Sequence, residues 1–127
     1  MMTLLSQQTC QACNASALLL QDEQIKVLFT ELQAQSAKSQ QWQLVEDQGV
    51  LKLACEFPTK RYQHSIAFVN QIAELAESVN HHPLLVVEYG VVTVQWWSHI
   101  IKGLHRNDFI MAAKTSELFS AMTLNRN

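Results

Sequence analysis

Histidine is concentrated in the C-terminal half of this chain. Four of its five histidines lie between His81 and His105, and the pair His81-His82 is followed directly by Pro83. An imidazole titrates near neutral pH, so one ring can donate a proton while another accepts one, and each such role typically contributes about 10²–10⁴ in rate. The cluster therefore favours general acid–base chemistry.

Surface or helix-capping histidines are the simplest alternative explanation of this cluster. Pro83 is expected to end the preceding helix and to rigidify the connection that carries His81 and His82. Alternation in the following strand places His99 on the same side as Thr93 and Gln95. That polar side argues against a buried core histidine.

A metal site is a second alternative, because histidine is the commonest metal ligand and Cys10-x-x-Cys13 could add thiolates. Side chains of adjacent residues such as His81 and His82 tend to diverge, and no second Cys-x-x-Cys occurs at finger-like spacing. The sequence therefore predicts no metal. Cys10-x-x-Cys13 also lacks the strand-to-helix setting of a redox motif.

The remaining candidate residues allow more than one interpretation. Alternation sends Trp96 to the core and leaves Trp97 as a candidate wall for a planar ligand. Asp108 could stabilise the start of a helix or orient a histidine. Glu77 fits a solvated helix end.

Composition excludes several classes of protein. The 127 residues suit one domain, and the net charge of −2 leaves no basic excess for nucleic acid or anionic lipid. The N-terminus has no basic region before its short apolar run at 17–20, so we expect neither a signal peptide nor a membrane partner. A cytoplasmic location is expected on the same grounds, and the odd number of cysteines, which does not suit a secreted disulfide framework, predicts reduced thiols.

The elements that must position these residues are read from periodicity. Residues 1–21 show little of it and are expected to be a poorly ordered lead-in, followed by a single domain at 22–122. Helical spacing of apolar residues begins at Asp22 and again after Thr59, which is the expected N-cap of the second helix. A third helix is expected to open near Asn107-Asp108.

Two pairs of strands fill the gaps between the predicted helices. The first pair surrounds Glu46-Asp47-Gln48-Gly49, and the second surrounds Tyr89-Gly90. The order helix-strand-strand-helix-strand-strand-helix predicts an α+β fold. In it, a four-stranded antiparallel sheet carries three helices on one face.

The stretch from Glu77 through Asn80-His81-His82-Pro83 to Ser98-His99 and Asp108 resembles the pterin-4a-carbinolamine dehydratase family in residue type and spacing. His-His-Pro with a third histidine seventeen residues after His82 is a specific signature. A looser match extends over roughly residues 22–119. The lead-in before Asp22 has no general counterpart in the family.

The resemblance implies an enzyme that dehydrates 4a-hydroxytetrahydrobiopterin to quinonoid dihydropterin, the recycling step for aromatic amino acid hydroxylases. It implies no metal or organic cofactor, and assembly as a homodimer or homotetramer. By position, the catalytic residues would be His81, His82 and His99. Together with these three histidines, the residues that hold the pterin would be Asn80, Trp97 and Ser98, and the supporting residues would be Glu77 and Asp108.

Two other functions stay open at this point. Animal members of the family also act as dimerisation partners of a homeodomain transcription factor, so a non-catalytic regulatory module is one alternative. A dehydratase-like protein that acts on another pterin, such as a molybdopterin-related compound, is the other. The intact histidine trio favours retained catalysis.

Overall fold

A computed structural model describes residues 4–10, 19–38 and 40–124 of the chain. The order of its elements confirms the predicted helix-strand-strand-helix-strand-strand-helix arrangement. No helix within these ranges is long and apolar enough to span a bilayer. The elements are α1 (Asp22–Gln35), β1 (Gln43–Asp47), β2 (Val50–Pro58), α2 (Tyr62–Val79), β3 (Leu84–Val87), β4 (Val91–Trp96) and α3 (Arg106–Leu124).

The four strands form one antiparallel sheet in the order β1-β2-β4-β3. Cys55 pairs with Val94 and Phe57 with Val92, so alternate residues of the two central strands share a face and are buried. Gln48 and Gly49 both have positive φ angles, 53° and 81°, which is the backbone of a tight hairpin turn. The predicted hairpin is therefore confirmed.

The helices cover the buried face of the sheet, with α2 and α3 directly on the strands and α1 packed against α3. Phe57 of β2 lies in edge contact with Phe68 of α2, with ring centroids 5.0 Å apart. The indole of Trp96 points inward and donates a hydrogen bond to Thr115 Oγ1 at 3.0 Å. The predicted inward orientation of Trp96 is confirmed, and α3 is anchored to the sheet.

The start of α2 differs from the prediction that Thr59 caps it. The helix begins at Tyr62, after Arg61. Thr59 is instead buried, with its hydroxyl 2.6 Å from Ser65 Oγ and its N–H donating to the Gly90 carbonyl at 2.9 Å. The N-cap prediction was wrong because tertiary contacts with the β3–β4 turn satisfy this threonine.

The lead-in packs against the domain in the part that the structure describes. A short 3₁₀ turn at Leu5–Gln7 places the Leu5 side chain in the core, fully buried, although the sequence predicted little order here. Gln35 Oε1 accepts the Leu5 N–H at 3.0 Å, and Lys114 Nζ donates to the Ser6 carbonyl at 2.8 Å. A three-residue turn with one buried apolar side chain has no periodicity to detect. Cys13 lies outside the described residues.

Candidate active site

A shallow pocket of about 280 Å³ opens where the α2–β3 connection meets the loop after β4. The residues that line this pocket are Asn80, His81, His82, His99 and Ile100. The structure thus brings together the three histidines singled out by the sequence, although two come from one connection and the third from another.

The end of α2 directs the first two histidines into this pocket. Asn80 adopts the left-handed conformation (φ 53°, ψ 43°), and the His81 N–H donates back to the Ala76 carbonyl at 3.2 Å. This reversal is a common way to end a helix, and asparagine tolerates it better than most residues. Pro83 then prevents the helix from resuming, so His81 and His82 leave it in a defined direction.

The loop after β4 brings His99 to the same pocket. Ser98 and Gly103 close this loop with two backbone hydrogen bonds, of 2.8 Å and 3.3 Å. Lys102 takes a positive φ of 53° to complete the turn. His99 and Ile100 are therefore presented to solvent at the rim of the pocket from a closed loop.

His81 is the buried member of the trio. Its Nε2 atom lies 2.7 Å from Asp108 Oδ1, with 8% of the histidine side chain and none of the aspartate side chain exposed. The imidazole also stacks on Trp96 at a centroid distance of 5.6 Å and an angle of 19°. A carboxylate partner fixes both the orientation and the tautomer of such a ring.

The second oxygen of Asp108 holds the loop and the helix together. Oδ2 accepts hydrogen bonds from Ser98 Oγ at 2.8 Å and from the His105 N–H at 2.9 Å. His105 Nδ1 in turn accepts the Asn107 N–H at 3.1 Å, as a helix-capping side chain does. The sequence left open whether Asp108 contacts the start of a helix or a histidine. In the structure it does both, at the start of α3 and at His81.

His82 is the exposed member of the pair. Its Nε2 atom lies 2.7 Å from Glu77 Oε2 in the last turns of α2, and 52% of the histidine side chain and 75% of the glutamate side chain are exposed. Glu77 is solvated, but it also has a partner in the pocket. One nitrogen of each adjacent histidine is thus engaged by a different carboxylate.

Two residues expected at the pterin lie outside the lining of the pocket. Trp97 stacks on the imidazole of His99, with centroids 4.3 Å apart and planes at 16°. Ser98 is fully buried, and its backbone N–H and carbonyl are both bonded to Gly103. Its hydroxyl positions Asp108 from within the protein.

Sequence reasoning missed two residues of this region, Ile100 and Lys52. Ile100 lines the pocket from the tip of the loop, and Lys52 Nζ lies 4.1 Å above the Trp97 ring. Ile100 could have been found as an apolar neighbour of His99 on a loop. Lys52 could not, because it comes from a different strand.

Burial raises the pKa of both the Cys10 and the Cys55 thiols, which disfavours the thiolate form. Burial raises the pKa of Cys10 to about 11, with Lys114 opposing and Asp108 adding to the effect. Within the described ranges no three His, Cys, Asp or Glu side chains are grouped so that they could hold a metal ion.

Comparison with known proteins decides the family. Residues 20–118 match the family described as Pterin 4 alpha carbinolamine dehydratase. This chain belongs to that family. The range of this chain that matches the dehydratase family begins just before α1 and ends within α3. It includes every residue that lines the pocket.

Two relatives illustrate the relationship to the dehydratase family. A protein of Saccharophagus degradans, provisionally named a pterin-4-alpha-carbinolamine dehydratase, is 44% identical over 118 residues, which is 93% of this chain and 98% of that protein. A crystal structure from Brucella melitensis, named a transcriptional coactivator/pterin dehydratase, superposes with a TM-score of 0.67 at 25% identity. It covers 80% of this chain and 98% of the other. The match confirms the predicted fold.

Proposed function

We propose that this chain dehydrates 4a-hydroxytetrahydrobiopterin to quinonoid dihydropterin, using His81, His82 and His99 as general acid and base. Membership of the dehydratase family supports the reaction class. The observation that carries the proposal is that these three imidazoles line one pocket with Asn80. No organic cofactor and no metal are part of the proposed reaction.

The chemistry requires two proton transfers and no redox step. The C4a–O bond breaks as a general acid protonates the hydroxyl, which leaves as water. A general base removes the proton from the adjacent ring nitrogen, whose electron pair forms the new double bond to C4a. Imidazoles are suited to both transfers at neutral pH.

The remaining residues support this assignment in different ways. Asn80 lines the pocket and offers an amide to the polar edge of the pterin. Asp108 and Glu77 orient His81 and His82. Trp97 and Ser98 belong to the proposed site through His99 and Asp108, which they contact directly.

Stopped-flow absorbance of the carbinolamine, generated in situ by a hydroxylase, tests the proposal. We expect the wild-type chain to accelerate its decay and His82→Ala to lose about 10²-fold or more of that acceleration. His64→Ala is the matched control, because His64 lies in the first turn of α2, at the opposite end of the helix. No acceleration by folded wild-type protein would contradict the proposal.

A binding or regulatory module is the second candidate, because the Brucella melitensis relative is named a coactivator as well as a dehydratase. If this chain were only a module, His81→Ala and His99→Ala would keep all its biological activity while folding normally. If the substrate were another pterin, such as a molybdopterin-related compound, the enzyme would turn that compound over faster than the biopterin substrate in the same assay.

We further propose that the reaction takes place in the cytoplasm and that the chain assembles as a homodimer or homotetramer. Strand β3 supports assembly, because it lies at an edge of the sheet and exposes the apolar side chains of Leu84 and Val86. Sedimentation equilibrium would measure the mass of the assembly, and a monomer at micromolar concentration would contradict this part.

A further inference from the structure

His99 is held differently from the other two histidines. His81 and His82 each engage a carboxylate through Nε2. Within the described residues, the His99 ring makes no side-chain hydrogen bond, and its ring contact is the stack on Trp97 at 4.3 Å. Because stacking uses the face of an imidazole, both ring nitrogens of His99 stay free at the edge.

Trp97 is itself fixed from the neighbouring strand. Lys52 Nζ lies 4.1 Å from the centroid of the Trp97 ring, which is a favourable position for an ammonium over an indole. Leu53 pairs with Trp96, so continuing that antiparallel register places Lys52 opposite Trp97. The contact is therefore built into the sheet rather than formed by a loose surface side chain.

The lysine is in turn held by the first hairpin. Its ammonium lies 3.3 Å from Asp47 Oδ2, and only 9% of Lys52 is exposed. A lysine is rarely this buried, because its charge must be desolvated and its rotamers restricted. An apolar side chain would pack at this position without that cost. The lysine side chain is thus held in a defined position between Asp47 and the Trp97 ring.

We propose that Trp97, braced by Lys52, is a positioning residue for His99, which rests on the proposed dehydratase function. The stack fixes the plane of the imidazole while leaving both nitrogens able to exchange protons with the substrate. The carboxylate-bound histidines have one nitrogen each for this purpose. The chain of contacts runs from Asp47 through Lys52 and Trp97 to His99.

Histidine ring NMR tests the stack without reference to activity. An indole face shifts the ring protons of a stacked imidazole upfield, so Trp97→Leu should move the His99 resonance downfield. The His81 resonance is the internal control, because His81 stacks on Trp96. An unmoved His99 resonance in folded Trp97→Leu would overturn the inference.

Kinetics test whether the stack positions a catalytic ring. Trp97→Leu should lower kcat by about 10-fold to 100-fold with little change in KM, since misplacing a catalytic group by about 1 Å can cost about 100-fold. Trp97→Phe keeps an aromatic face and should recover most of that loss. Lys52→Met should lower kcat less than Trp97→Leu does, and Lys52→Arg, which keeps the positive charge, should have a kcat close to that of the wild type. Lys60→Met is the matched control, because Lys60 is an exposed lysine.

The outcomes separate this inference from the proposed function. Inactive wild-type protein would contradict the proposed function and the catalytic role of the stack, while the NMR shift would still report whether the stack exists. Active wild-type protein with unchanged kcat in Trp97→Leu and a shifted His99 resonance would overturn the positioning role alone. If Trp97→Leu fails to fold, Lys52→Met carries the comparison: an unmoved His99 resonance and an unchanged kcat in that variant would overturn the inference.

Discussion

The imidazole of His81 and the carboxylate of Asp108 are 2.7 Å apart and both are buried. The second oxygen of Asp108 accepts hydrogen bonds from the Ser98 hydroxyl and from the backbone N–H of His105. The aspartate therefore couples three segments, namely the end of α2, the loop after β4 and the start of α3. In the proposed reaction it orients the ring and stabilises the imidazolium that forms during proton transfer.

Asp108→Asn should keep the size of this side chain while removing its charge. We expect kcat to fall by about 10²-fold or more, because an amide can no longer enforce the same His81 tautomer and cannot stabilise an imidazolium. The measurement is the carbinolamine decay rate in the stopped-flow assay. Asp22→Asn removes an exposed carboxylate from the first turn of α1 and is the matched control; equal kcat in the two variants would contradict the role of Asp108.

Glu77→Gln should affect activity less than Asp108→Asn. Because the Glu77–His82 pair is exposed, solvent screens it, and we expect a stability change below about 1 kcal/mol. Because salt screens an exposed charge pair, the loss of kcat caused by Glu77→Gln should be smaller at high salt than at low salt. Denaturant unfolding and kinetics at two ionic strengths measure both effects, and a loss of kcat as large as that of Asp108→Asn would refute this ranking.

Leu5→Ala tests whether the lead-in is part of the domain. Leu5 is fully buried, so its truncation should lower the free energy of unfolding by about 2–5 kcal/mol. The neighbouring Leu4 is 45% exposed, and Leu4→Ala should change stability by less than about 1 kcal/mol. Urea denaturation of both variants checks this pair, and similar values for the two would mean that the lead-in is not docked in solution.

Alkaline pH should destabilise the protein through its buried thiols. Burial raises the pKa of Cys55 from its usual 9.0 to about 12, with Glu56 adding to the effect. Above pH 9 the unfolded thiol ionises while the folded one stays protonated, so the unfolded state binds fewer protons and stability falls until about pH 12. Below pH 9 this contribution is fully retained.

Cys55→Ala provides the comparison for that pH dependence. The variant lacks the thiol, so its unfolding midpoint should fall less steeply than that of the wild type as the pH rises above 9. Lysine and tyrosine titration contributes equally to both proteins. Parallel curves from chemical denaturation would show that the Cys55 thiol is not held protonated by the fold.

Local patterns in the sequence were sufficient for most of the architecture. Alternation along the strand predicted that Trp96 points to the core, where it is fully buried, and that Trp97 and His99 share a side, where their rings stack on each other. The prediction that Thr59 caps α2 failed because it relied on local sequence alone. Its hydroxyl and N–H are satisfied by Ser65 and Gly90, and local capping rules do not include such tertiary partners.

The sequence by itself determined which side chains could do chemistry and on which connections they lie, because Asn80-His81-His82-Pro83 is a helix end and His99 follows a strand. Only the tertiary structure decided how each histidine is held. Asp108 reaches His81 across 27 residues, and Lys52 reaches Trp97 from another strand. Such partners depend on helix docking and strand register, and periodicity within one element carries no information about either.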